Sequence, residues 1–217
     1  MKKVILSAAL ALCMGAGAAS AEMELSVYSG WQTAPHSRAT GNHPDGGSYD
    51  ALIGWEGKSF EMPPYYGLRG TWWRDERLGF GLEFTHAKVY APDSERENIG
   101  FDRMEFTDGL NLITVNAYHR WLNRWDDFTP YVGGGIGLAI PHVDVESAGG
   151  EKTFGYQVTG PAVRVLAGVS YDLSERFAVF GEYQFTYSNN KADLEGDGTL
   201  ETEIKTNALN FGVTLKF

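Results

Sequence analysis

Asn207 to Phe217 reads NALNFGVTLKF. Leu209, Phe211, Val213, Leu215 and Phe217 alternate with Ala208, Asn210, Gly212, Thr214 and Lys216. A period of two makes a β-strand with one apolar face and one small or polar face. The same alternation recurs upstream. Phe177, Val179, Tyr183, Phe185 and Tyr187 oppose Ala178, Glu182, Gln184 and Thr186. Val163, Val165, Ala167, Val169 and Tyr171 oppose Arg164, Gly168 and Ser170. Leu78, Phe80, Leu82 and Phe84 oppose Gly79, Gly81, Glu83 and Thr85. In each upstream segment the polar face carries a charge.

The other end of the chain sets the compartment. Lys2 and Lys3 precede the apolar run VILSAALALCMGAGAA, and Ala19-Ser20-Ala21 is a small-residue cleavage site. This pattern predicts a cleaved signal peptide over residues 1–21 and a mature chain beginning at Glu22. The run is too short for a membrane anchor. Cys13 is the single cysteine, and Leu12 before it is not the small residue a lipoprotein needs. Residues 22–217 therefore hold no cysteine, which excludes disulfides, thiolate metal sites and a cysteine nucleophile. The formal charge is −10, with 18 basic against 28 acidic residues, and argues against nucleic acid as a partner. No later apolar run is long enough for a membrane helix. A membrane-spanning form of residues 22–217 must then be a closed barrel, because only closure pairs every strand's backbone groups.

Connection lengths set the topology. Short turns at 74–77, 123–127 and 174–175 alternate with long connections at 34–64, 91–107, 142–158 and 189–203. Short inner turns and long outer loops are the pattern of outer-membrane barrels. The expected fold is all-β: one domain over 22–217, an eight-stranded antiparallel transmembrane barrel with four long external loops. Its strands are expected near 23–33, 65–73, 78–90, 108–122, 128–141, 159–173, 176–188 and 204–217. YDALIGWEG (49–57) also reads as a strand. A ninth spanning strand would break the alternation of loops, so it is assigned to a strand extension or hairpin in the first external loop. Trp31, Trp72, Trp73, Trp121, Trp125, Tyr131, Tyr171 and Tyr187 fall near strand ends, as interfacial girdles do. Arg69, Glu83, Arg164 and Glu182 are expected inside as an ion-pair plug, because a small barrel fills its interior with side chains.

Several motifs carry little chemistry. VGGGIG (132–137) lacks the spacing of a phosphate loop, and its glycines suit curvature and room for large inward neighbours. DLEGDG (193–198) begins like a calcium loop, but Ile204 stands where the bidentate carboxylate belongs. A solvated acidic loop tip is the expectation, with weak calcium or magnesium binding left open as the alternative. Ser37 directly follows His36, and adjacent strand residues face opposite ways, which disfavours a hydrolase pair. His119 is expected at the inner end of its strand and His43 in the first loop. His36, His86 and His142 fall at the external ends of three strands and are the candidate metal ligands. Gln32, Glu61, Glu83, Asp144 and Gln157 are candidates to support them or to touch substrate. Imidazole with carboxylate suits a divalent iron or copper ion. No catalytic residue is assigned.

GWQTAPHSR (30–38), GWEGKSFEMPPYYGLRGTWW (54–73), GFGLEFTHAKVY (79–90), FTDGLNL (106–112), FTPYVGGGIGLAIPHV (128–143) and TGPAV (159–163) together resemble the outer-membrane barrels of alphaproteobacteria grouped with lipid A oxidase. The final strand also resembles those barrels, whose terminal aromatic is read by the barrel-assembly machinery. The resemblance implies a Gram-negative outer-membrane location and lipopolysaccharide as partner. It also implies oxygen-dependent oxidation of the proximal glucosamine of lipid A to 2-aminogluconate. The alternative is a non-catalytic structural or adhesive barrel.

Overall fold

A computed structural model describes residues 22–217; the signal peptide expected over 1–21 lies outside the described residues. Twelve strands and one short helix follow in order. They are β1 (Glu22–Thr33), β2 (Ser37–Asn42), β3 (Ser48–Ile53), β4 (Tyr66–Trp73), β5 (Leu78–Tyr90), α1 (Asp93–Glu97), β6 (Phe101–Arg120), β7 (Phe128–Ala139), β8 (His142–Ser147), β9 (Lys152–Tyr156), β10 (Gly160–Asp172), β11 (Phe177–Leu194) and β12 (Gly198–Lys216). Eight of them form a ring in the order β1-β4-β5-β6-β7-β10-β11-β12, closed by β1 pairing β12 antiparallel. The expected eight-stranded barrel is present.

The four remaining strands correct the long-loop expectation. Residues 142–158 hold the β8–β9 hairpin, and β8 pairs the first part of β6. Residues 189–203 are not a long loop: β11 and β12 run on as a continuous ladder to Leu194↔Gly198. The β2–β3 hairpin contains the start of YDALIGWEG and joins β12 at Thr40↔Glu201. β2, β8 and β9 are too short to show an outward apolar stripe of spanning length, whereas β3 falls in YDALIGWEG, the segment assigned to a hairpin in the first external loop.

β12 shows the wall residue by residue. Its even-numbered side chains point inward along the whole strand. At the outer end the inward set is apolar, with Leu200 and Ile204 buried, and the outward set is Glu201, Glu203 and Lys205. Below Asn207 the polarity inverts: Leu209, Phe211 and Val213 point out and are exposed, while Asn210 and Thr214 are buried inside. A wall that is apolar outward belongs in hydrocarbon, and one that is polar outward over an apolar core belongs in water. The barrel is thus two stacked segments on continuous strands. The outer one buries Ala39, Ile53, Phe101, Met104, Val143, Val145, Leu200 and Ile204 in a single apolar cluster.

Aromatic placement follows strand parity. Trp31, Trp72, Trp121 and Trp125 are exposed at strand ends, as a girdle requires. Trp73 and Tyr131 correct the expectation, because both fall on inward positions. Trp73 is buried beside Tyr118, and the Tyr131 hydroxyl donates to Glu182 at 2.8 Å. Inward glycines open space for such rings. A Cβ at Gly67 would strike the Tyr28 ring, and one at Gly133 would strike Tyr118.

Candidate functional site

The barrel interior is filled, not open. Arg69 spans two carboxylates: its Nε donates to Glu83 Oε2 at 2.8 Å and its Nη2 to Glu182 Oε1 at 2.6 Å. Arg164 Nη1 lies 2.6 Å from Glu83 Oε1, an ion pair without hydrogen-bond alignment. Tyr28 and Tyr118 hydroxyls also donate to Glu83, at 2.5 and 3.0 Å. Two cations and two anions balance, and their side chains are at most 5% exposed. Below them remains a hollow of ≈ 50 Å³ toward the inner end, lined among others by Ser26, Thr71 and Thr214. The four interior charges form the expected plug, and Glu83 serves there.

A different site lies on the outer wall. The register Tyr66↔His86↔Asn111 crosses β4, β5 and β6 where the outward face changes from apolar to polar. The His86 ring stacks on Tyr66 at 5.2 Å, and its Nδ1 pairs with Asn111 Oδ1 at 3.0 Å. Gly109 lets the chain turn against this ring: its φ is +88°, and a Cβ there would collide with the imidazole. This irregularity within β6 presents Asp108, whose Oδ2 stands 3.9 Å from His142 Nε2, a Coulombic contact longer than a hydrogen bond. Phe154 and Tyr156 pack edge-on against His142 at 4.3 and 4.7 Å. His86 Nε2 and His142 Nδ1 are buried without a hydrogen-bond partner. His86, Asp108 and Asn111 share an open groove of ≈ 470 Å³ with Tyr66, Phe84, Ile113 and Tyr156. Its lower wall is the apolar band, and its floor is polar. A carboxylate and an amide in such a place, Asp108 and Asn111, can hydrogen-bond sugar hydroxyls.

The candidate residues are scattered differently than expected. Only His86 lines this groove; His142 stands beside it, against the lining residues Asp108 and Tyr156. His36 is exposed and stands apart from it, against Gly54 and near Glu95 of α1. Among the described residues no group of three or more His, Asp or Glu is placed to hold a metal ion. The three histidines therefore do not fit a resident iron or copper centre as arranged, and the Asp193–Gly198 segment forms a tight hairpin end, not an ion cage. Gln32 is structural. Its amide mimics a strand, donating to Lys88 O at 2.7 Å and accepting from Lys88 N at 2.9 Å. Glu61 gives its backbone carbonyl to Lys88 Nζ. Asp144 pairs with Lys152 at 3.1 Å and Arg103 at 3.3 Å. The Gln157 amide ties β9 to Asp193 of β11. His119 packs on Trp121 at the inner end, and His43 contacts Gly100 O, both away from the groove. Asp108 was missed because a single aspartate in FTDGLNL has no motif. The glycine after it was the one available signal of an irregularity.

The model of the outer membrane protein beta-barrel domain family matches residues 4–217. The chain belongs to this family. Among solved structures, the barrel is similar to Neisserial surface protein A, at 19% identity and a TM-score of 0.53, covering 93% of this chain and 100% of that one. It is also similar to the outer membrane protein AlkL, at 14% identity and a TM-score of 0.53, covering 94% and 93%. These likenesses concern the fold. No curated protein matches the sequence.

Proposed function

We propose that this outer-membrane barrel acts on lipopolysaccharide, oxidising the proximal glucosamine of lipid A to 2-aminogluconate with molecular oxygen. The observation that carries the reading is the groove. Its polar floor, with His86 and Asp108, opens sideways where the outward wall turns from apolar to polar. A glycolipid in the outer leaflet holds its sugar at that depth. The whole-chain resemblance to lipid A oxidase supports the same substrate.

The reaction balances with dioxygen as the two-electron acceptor. The substrate is lipid A whose C1 hydroxyl carries no phosphate: this C1 hemiacetal loses its C–H hydrogen and its hydroxyl proton, dioxygen becomes hydrogen peroxide, and the lactone formed opens with water. The sugar gains one oxygen atom. In this reading Asp108, on the groove, accepts the hydroxyl proton, and His142, 3.9 Å from its carboxylate, positions it. No step is assigned to a metal. Export through the signal peptide and insertion by the barrel-assembly machinery belong to the same reading. Folded barrel incubated in air with lipid A lacking the C1 phosphate should yield a product heavier by one oxygen atom, and deoxygenation should stop it.

A second reading is favoured by the raised outer segment. A sheet folded over its own apolar core, standing above the band, presents a surface as a non-catalytic adhesive or structural barrel would. Unchanged lipid A after incubation with folded, oxygenated barrel, with and without added iron or copper, would favour it.

A further inference from the structure

The outer segment is not polar all round. On the flank of β11 and β12 the outward positions above the band are charged or amide residues: Asn189, Lys191, Asp193, Glu201, Glu203 and Lys205. On the groove flank they are large and apolar. Phe60 and Met62, in the segment leading to β4, are 74% and 84% exposed. Phe154 and Tyr156, on β9, are 63% and 61% exposed. Pro63 and Tyr156 line the groove together, so the two apolar projections meet around it. Along β8 and β9 polarity changes with height. Tyr156 pairs with His142 at the end nearer the band, Phe154 with Asp144 above it, and Lys152 with Glu146 at the far end; Lys152 and Arg103 bind Asp144, and Lys152 Nζ lies 4.9 Å from the centre of the Phe154 ring.

We infer that this flank, Phe60–Met62 with Phe154–Tyr156, is a second lipid-contact surface seated among the headgroups and upper acyl chains of the outer leaflet. Its occupant is a bilayer lipid, because the patch is continuous with the hydrocarbon-facing wall through Phe84 and Ile113 in the groove. Charge sets its upper limit at Phe154: the Arg103–Asp144–Lys152 cluster level with that ring requires water. The aromatic rings suit an interface, where one end is dry and the other wet. The consequence is directional. The groove opens to lipid on one side of the barrel, and the opposite side stands clear of the membrane. This placement does not depend on any reaction at the groove.

The test uses spin labels, which the absence of cysteine from residues 22–217 permits. Met62→Cys, Phe154→Cys, Val213→Cys and Glu203→Cys are labelled in the folded barrel in phosphatidylcholine nanodiscs. Accessibility to dissolved oxygen, which concentrates in lipid, is compared with accessibility to a water-soluble nickel chelate. Met62 and Phe154 should follow Val213, with an oxygen-to-nickel ratio several-fold above that of Glu203. A ratio equal to that of Glu203 would overturn the inference. Exclusion of both reagents, with spin–spin broadening that grows with protein density, would assign the patch to a second copy and also overturn it. Should Phe154→Cys not fold, Tyr156→Cys serves the same purpose.

Discussion

Replacing Glu83 with alanine removes the anion that two arginines share inside the barrel. Glu83 is fully buried and receives Arg69, Arg164, Tyr28 and Tyr118. The variant keeps Arg69 paired with Glu182, but Arg164 is left with Thr85 Oγ1 at 2.6 Å as its remaining partner. One buried positive charge becomes uncompensated. Breaking such a pair from one side costs about 3–5 kcal/mol. With a urea slope of order 1–3 kcal/mol/M, the unfolding midpoint should fall by roughly 1–5 M. The assay is urea unfolding of the barrel in lipid vesicles, followed by tryptophan fluorescence. Glu83→Ala with Arg164→Met restores charge balance and should recover much of the loss, a coupling that single variants do not show. A midpoint for Glu83→Ala equal to wild type, at unchanged slope, would refute the plug as the interior's main polar restraint.

Val213 points outward in the apolar band, so Val213→Arg should destabilise insertion by about 2–4 kcal/mol if near the bilayer midplane; normal outer-membrane levels of the variant would count against that face. Gly67→Val places a side chain where the Tyr28 ring lies, and overpacking should cost about 1–3 kcal/mol in the same urea assay; an unchanged midpoint would remove the argument that this glycine exists to admit the ring. Asp75, in the turn between β4 and β5, accepts from Arg77 N and Leu78 N, both at 2.9 Å, and these bonds hold its carboxyl below the usual carboxylate range. Its folded value is depressed, so its contribution is present above the ordinary carboxylate value and lost as pH falls through the depressed one; carbon NMR titration checks the value, and a normal titration midpoint would contradict it. Asp108→Asn and His142→Ala should each suppress the lipid A product while leaving heat-shifted gel mobility intact, and full activity in both would exclude the groove as the reacting site.

The spanning strands were legible because hydrocarbon imposes a strict period of two on outward side chains, as Leu209, Phe211 and Val213 show. The outer strands obey the same parity with the polarity reversed. Leu200 and Ile204 lie inward there, and a search for an outward apolar stripe stops near Asn207. The plug was legible because charges on the inward face of a narrow barrel have each other as partners. The site was legible only in part. His86 and His142 lie on strands whose ends could be counted, but His36 depends on how the chain folds after β1, where β2 turns to join β12. Asp108 depends on an irregularity at a glycine of positive φ, which strand periodicity does not encode.

The most direct measurement is mass spectrometry of lipid A from cells lacking this protein, cells producing it and cells producing Asp108→Asn, grown in air. The account predicts a species heavier by one oxygen atom on the proximal glucosamine in the producing cells alone. Identical lipid A from all three, with the barrel folded in the outer membrane, would contradict it.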